Sequence, residues 1–137
     1  MNIEYTKDID NITEDMLTGF FVGWSSPPNN ATHLRILKSS YCSYVAVDRD
    51  CNRVVGFMNA ISDGILAAYI PLLEVLPMYK GAGIGSELVK HMLNELESLY
   101  MIDICHDEEL ASYYARFGAH KSHSSLFRNY ANQAGAG

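Results

Sequence analysis

The chain has 137 residues, 48% of them hydrophobic and 19% charged. That is one globular domain, too short for two ordinary cores and too apolar for a disordered segment. Ten basic residues against sixteen acidic ones leave a net charge of −6, the wrong sign for a nucleic-acid binder, and no basic stripe offsets it.

The nearly uncharged stretch Gly64 to Leu73 is about half the ~20 residues that a membrane helix needs, so no membrane partner is expected. The opening MNIEYTKDID carries three acids and no apolar run, which argues against a secretory signal. Cys42, Cys51 and Cys105 are odd in number and lack metal-type spacing. They read as small buried or half-buried thiols in a reducing, cytoplasmic setting, with no metal site.

In chain order, Asn2 to Thr6 predicts a first strand. Ile12-Thr13-Glu14-Asp15 reads as a helix start, with Thr13 as cap and acids in the first turn. Met16, Leu17, Phe20 and Phe21 give that helix its apolar face. Gly23 to Asn30 contains two prolines and two asparagines and is a loop. A second helix runs from Ala31 or Thr32 to Lys38, with Leu34, Ile36 and Leu37 inside.

Tyr44 to Val47 is a strand ending at the polar turn Asp48 to Asn52, and Arg53 to Ile61 is the next. Ser62-Asp63-Gly64 reverses the chain, with Gly available for positive φ. Ile65 to Leu76 returns as an almost wholly apolar strand, expected centrally in the sheet with both faces covered, and Pro77 ends its pairing. From Gly83 to Leu99, apolar residues recur every three or four positions, a helix. Tyr100 to Cys105 predicts a short strand, Asp107 to Phe117 a helix closed by Gly118, and Ala119 to Tyr130 a final edge strand suited to a homodimer. The order β-α-α-β-β-β-α-β-α-β is an α/β fold of the α+β kind, a mixed sheet with helices on its faces. Residues 1–130 form the domain and 131–137 a tail expected to fray.

The informative segment runs from Leu73 to Ser86. A buried strand stops, and Gly81, Gly83 and Gly85 open a strong helix. Glycines let the backbone approach a bulky ligand, and a helix N-terminus offers unpaired N–H groups and partial positive charge. Together they suit a phosphate or pyrophosphate; a tight turn with close helix-to-strand packing explains the glycines equally well. A P-loop is excluded, because no Lys-Ser or Lys-Thr directly follows these glycines. A dinucleotide fingerprint fits poorly. Ser86 stands where its third glycine belongs, the preceding strand lies in an antiparallel hairpin, and too little chain follows for a doubly wound sheet.

The stretch Val75 to Gly85 resembles the acetyl-CoA motif of the GNAT superfamily of N-acetyltransferases, Gln/Arg-x-x-Gly-x-Gly/Ala, with Lys80, Gly83 and Gly85 on its fixed positions. Lysine departs from the usual Gln or Arg. Ala111 to Ala119 resembles the family's second hallmark, Asn-x-x-Ala-x-x-x-Tyr-x-x-x-Gly-Phe. Ala111, Tyr114 and Gly118 match, while Glu108 replaces the Asn and Ala119 the Phe. The element order fits along nearly the whole chain.

The resemblance implies the single-domain acyl-CoA N-acyltransferase fold and transfer of acetyl from acetyl-CoA to a primary amine of a small molecule or peptide. It implies a V-shaped cleft between the strand ending at Leu76 and the strand Tyr100 to Cys105. Backbone groups of Leu73, Glu74, Val75 and Leu76 would pair with the pantetheine arm. N–H groups of Gly81, Ala82, Gly83, Ile84, Gly85 and Ser86 would hold the pyrophosphate, with Lys80 adding a charge contact. Tyr114 aligns with the tyrosine that protonates the departing thiolate.

Glu74 is the expected general base, the only charged residue between Gly64 and Met78. Asp103 and a water wire are the alternatives. An oxyanion donor is expected among the N–H groups of residues 73–75. For the acceptor, the resemblance implies a site built from the loop Gly23 to Asn30, the first two helices and the strand ends. Trp24, Tyr69, Asp103 and His106 are its candidates, with an acidic rim that attracts a cationic amine. A non-catalytic CoA-binding or regulatory module of the same fold is the alternative to an enzyme.

Overall fold

Residues 1–136 are described by the computed structural model; Gly137 lies outside them. Five strands form one sheet in sequence order: β1 (Ile3–Thr6), β2 (Cys42–Asp48), β3 (Arg53–Ser62), β4 (Ala67–Val75) and β5 (Met101–Ile104). The first four pair antiparallel, and β5 joins β4 in parallel after the crossover helix α2 (Ile84–Glu95). Gly56 faces Ile84 and Leu88 of α2, while its neighbour Phe57 meets Phe20, Phe21 and His33. Successive strand residues point to opposite faces. Helix α2 therefore covers one face of the sheet, and α1 (Asn30–Ser39) with the segment before it covers the other. Leu88 and Met92 of α2, Leu96 just after it, and Val45, Val47, Val54 and Val55 of the sheet are fully buried. Their apolar area removed from water is the main stabilising term.

The reading of Thr13 to Phe21 as an α-helix is corrected. Only a single 3-10 turn forms, Glu14–Leu17. Thr18 is already extended and Gly19 takes φ +102°, so too few residues remain to outweigh helix nucleation. Phe20 and Phe21 reach the core from irregular chain instead. Helix α1 starts where its cap dictates, with Asn29 accepting the Thr32 N–H at 2.8 Å. The helix expected over 107–117 splits into a 3-10 turn, Glu108–Leu110, and the short α3 (Ala111–Ala115), closed by Gly118 at φ +94°.

Two sheet expectations also change. Strand β4 is not central; it lies next to the edge, and residues 71–75 are only half-buried. Between the pairs Asn59↔Leu72 and Ile61↔Tyr69, Ala60 faces both Ile70 and Pro71, a bulge where a residue without an N–H is tolerated. Beyond Ile70, β4 pairs with β3 alone, since β5 stops at Ile104. The edge strand read over Ala119 to Tyr130 does not form. The segment pairs with no strand, and a 3-10 turn follows at Tyr130–Asn132. A gap of about 440 Å³ separates the segment from β5, so the backbone groups of the two do not meet to form a ladder. The final turn reaches back to the other side of the chain, where Gln133 Oε1 accepts from Ser26 N at 2.8 Å and Ser25 Oγ at 3.2 Å.

All three cysteines are free, and burial pushes the Cys42 thiol up to about 11. Among the described residues, no helix is long and apolar enough to cross a membrane. Nor is any group of three or more His, Cys, Asp or Glu placed to hold a metal ion.

Candidate active site

Where β4 leaves β5, a cleft of about 660 Å³ opens. It is lined by Leu73–Val75, by the turn from Tyr79 to Ser86 except Ala82, and by Leu110, Tyr113, Tyr114 and Arg116. Most of the residues expected to bind one ligand are thus brought together. Leu76 is not among them: its side chain is buried and its N–H donates to Val55 O at 2.8 Å. Its expected pairing with an added ligand strand is therefore corrected, because that donor already completes the β3 ladder.

The turn is built by backbone conformation. Gly81 and Gly83 sit at φ +84° and +80°, where a side chain costs roughly 1–2 kcal/mol. Gly83 is the N-cap of α2. Lys80 N donates to Pro77 O at 3.4 Å and Glu87 N to Gly83 O at 3.1 Å. Among the described residues, none of the six N–H groups between them, Gly81 to Ser86, donates to the chain. A Cβ built at Gly81 or Gly83 meets nothing within 4 Å. A run of free donors at a positive helix end, with open space in front, is a seat for an anion.

The turn is held from behind. Tyr79 Oη donates to the buried Asp48 at 2.9 Å, and Asp48 also accepts from Asn2 N and Asp50 N. The Tyr79 hydroxyl is the main reason the Asp48 carboxyl sits below the usual carboxylate range, and Asp48 in turn pushes the Tyr79 phenol up to about 12. Lys80 follows directly, exposed and without an ion pair among the described residues.

Tyr114 is 8% exposed, edge-on to Tyr113 at 5.1 Å and beside the His106 ring at 5.0 Å. Burial, with a smaller contribution from Tyr113, pushes its phenol up to about 12, so it keeps its proton at neutral pH and can donate it. Glu74 lines the cleft, but its carboxylate is engaged: Oε1 accepts from Phe21 N at 2.8 Å and Oε2 from Val22 N at 3.3 Å. Those bonds hold Phe21 at φ +61°, a conformation rare for a bulky residue.

The four acceptor candidates do not gather in the cleft. Trp24, 39% exposed, tilts against Phe21 at 4.9 Å. Tyr69 and Asp103 are register partners across β4 and β5. Asp103 and His106 line the separate gap between β5 and the C-terminal segment, which Tyr114 also lines.

Sequence reasoning missed Tyr113 and Arg116. Tyr113 Oη lies 3.3 Å from Ser86 Oγ, and the Arg116 guanidinium stacks 4.9 Å over the Tyr113 ring and reaches Ser86 Oγ at 3.5 Å. Their spacing of three puts them on one helix face, but only the docking of α3 against α2 brings that face to Ser86.

A family model, Acetyltransferase (GNAT) family, matches residues 9–119. A provisionally assigned acetyltransferase from Deinococcus radiodurans R1 is 41% identical, covers 99% of this chain and 94% of its own, and superposes at a TM-score of 0.95, C-terminal segment included. A GNAT family acetyltransferase from Streptococcus pneumoniae TIGR4 is 26% identical, covers 93% and 97%, and has a TM-score of 0.71. Glucosamine-6-phosphate N-acetyltransferase from Arabidopsis thaliana shares the fold at 10% identity, 94% and 99% coverage and a TM-score of 0.72. No curated protein matches significantly. With a transferase-family model over most of its length and a cleft that opens where the sheet splays, the chain belongs to the acetyltransferase (GNAT) family.

Proposed function

We propose that the chain moves the acetyl group of acetyl-CoA to a primary amine of a small molecule or peptide, by direct attack. The observation that carries this reading is the run of six N–H groups, Gly81 to Ser86, that among the described residues donate to nothing in the chain, at the head of α2 where Gly81 and Gly83 have open space around them. A diphosphate matches it in charge and size, and Lys80 and Arg116 at the same cleft supply cations. The free edge of β4 over residues 72–75 suits the amide-bearing pantetheine arm.

When bound, acetyl-CoA supplies a thioester whose carbonyl carbon takes the amine and whose sulfur leaves. Glu74 takes the amine's proton, directly or through water, from a carboxylate fixed by its bonds to Phe21 and Val22. N–H groups of residues 73–75 on the free β4 edge stabilise the tetrahedral oxyanion. Tyr114, protonated and at the far wall of the cleft, returns a proton to the sulfur. The acceptor is drawn to the side of the cleft carrying Glu74, whose charge favours a cationic amine and whose bonds hold the Phe21 turn on which Trp24 rests; Tyr69, Asp103 and His106 lie apart from it. Three free cysteines fit a reducing, cytoplasmic setting.

Calorimetric titration with acetyl-CoA, followed by thiol release over a panel of amines, tests this. Binding at micromolar to millimolar ligand is expected. So is a fall of about 100-fold in kcat for Tyr114→Phe, with the KM for acetyl-CoA nearly unchanged. No binding at millimolar ligand overturns the reading. Binding without thiol release from any amine replaces it with the non-catalytic module.

A further inference from the structure

Among the described residues, His33 is the buried side chain in which every polar atom lacks a partner: it is 1% exposed, and neither Nδ1 nor Nε2 meets a donor or acceptor. An imidazole buried in this way gives up its bonds to water and receives none in return. Leucine would fill the same space without that cost. The acetyl-transfer steps do not use His33, and it does not line the cleft. A buried orphan of this kind calls for a reason beyond filling space.

Its neighbours supply one. Helix α1 fixes the backbone, with His33 N donating to Asn29 O at 2.8 Å and Leu37 buried one turn further on. The ring stands edge-on to three phenylalanines: Phe57 at 4.3 Å, Phe21 at 4.9 Å and Phe20 at 5.4 Å. It is thus a flat spacer between Phe57 in the sheet and Phe21 in the loop. Edge-on packing lets a ring N–H rest on an aromatic face, the one weak bond open to it. Phe21 links this box to the chemistry. Its φ of +61° is rare for a bulky residue, and its N–H and that of Val22 end on the Glu74 carboxylate at 2.8 and 3.3 Å. Phe57 and Glu74 are register partners on β3 and β4, so the box and the carboxylate share one face of the sheet.

We propose that His33 is a positioning residue for Glu74, acting through Phe21. The imidazole fixes the Phe21 ring, the ring holds the Phe21 backbone at positive φ, and that backbone aims two N–H groups at the carboxylate. A strained conformation persists only where its surroundings impose it. Here the aromatic box imposes it from one side and the carboxylate from the other. Leucine at residue 33 fills the volume but is not flat, so it leaves Phe21 free to turn its N–H away. The carboxylate then loses its fixed direction toward the incoming amine. Stability is given up at His33 so that the base is held, the exchange expected where a functional site needs an exact geometry. The proposal rests on the reading of Glu74 as the base.

His33→Leu removes the orphan nitrogens, so at neutral pH it is expected to fold with a Tm no lower than that of the parent. Amide hydrogen exchange, followed residue by residue by NMR, is the first measurement. The Phe21 amide is expected to exchange about tenfold faster in His33→Leu, and the β3 amides around Phe57 to stay as they are. A double-mutant cycle in kcat is the second. His33→Leu alone is expected to lower kcat about tenfold with the KM for acetyl-CoA nearly unchanged, and to add nothing in a Glu74→Gln background. A purely structural role moves Tm and leaves that cycle additive. Parent-like exchange at Phe21 overturns the proposal, and that measurement needs no acceptor. So does an equal fall in kcat in both backgrounds, which makes His33 independent of Glu74. A Glu74→Gln variant that turns over like the parent overturns the base reading itself, a failure told apart from this one by the exchange rates.

Discussion

Glu74 is the one acid lining the cleft, and its surroundings give it two jobs that a single substitution separates. As base it must take a proton; as anchor it accepts the Phe21 and Val22 N–H groups and holds the turn on which Trp24 rests. Glu74→Gln keeps the shape and the shorter bond from Phe21 N, gives up the longer one from Val22 N, and removes the basicity. A fall of about 100-fold in kcat is expected, shrinking as pH rises toward the pKa of the acceptor, because the amine then arrives neutral. A loss equal at every pH, read from kcat profiles of both proteins, makes Glu74 a positioning residue instead. Tyr114 is simpler: buried, held neutral, and next to the cleft, it is suited to give a proton and not to take one.

At the scale of the element, the turn into α2 works because two of its glycines are conformational and one is spatial. Gly83 needs positive φ, so Gly83→Ala is expected to cost roughly 1–2 kcal/mol and to lower Tm by about 3–8 °C. Gly85 has ordinary helical φ, and a Cβ there meets Tyr113 Oη at 3.5 Å and Val75 Cγ2 at 3.7 Å, ordinary contacts. Gly85→Ala is therefore expected to leave Tm unchanged within error, while both variants weaken acetyl-CoA binding. Thermal melts and calorimetric titration of the pair check this. If Gly85→Ala binds like the parent, the ligand does not lie against that turn of the helix. The bulge at Ile70–Pro71 plays the complementary part in β4. It marks where the strand leaves β5, so the free edge begins at the place where the helix donors also face outward.

For the whole molecule, His33 links stability to pH. It is 1% exposed, boxed by Phe20, Phe21 and Phe57, and neither ring nitrogen has a partner. Burial lowers its pKa to about 4. As pH falls below about 6.5 the unfolded chain takes up the proton first, so folding loses stability down to about pH 4, where His33 itself protonates and the loss levels off. The total is ~3 kcal/mol. Urea unfolding between pH 7 and 4 is expected to follow this slope, and His33→Leu to flatten it. Equal slopes for the two proteins place the acid sensitivity elsewhere.

The strands through β5, the crossover helix and the glycine turn are legible in the amino-acid order alone, because each is written locally: alternation or apolar runs bounded by Gly, Pro and Asp, a three-to-four residue stripe, and residues that alone tolerate positive φ. That order also carried the two motifs on which the family resemblance rested, and so the cofactor side of the site. The rest came from packing between distant parts of the chain. Phe20 and Phe21 look helical but are placed by the sheet beneath them. Glu74 looks like a lone buried acid until two distant amides are brought to it. Tyr113 and Arg116 reach Ser86 only through packing of α3 on α2. The segment from Ala119 reads as a strand because its residues tolerate extension, but a strand is a pairing, and whether an edge lies within reach is decided by the folded chain and not by the segment.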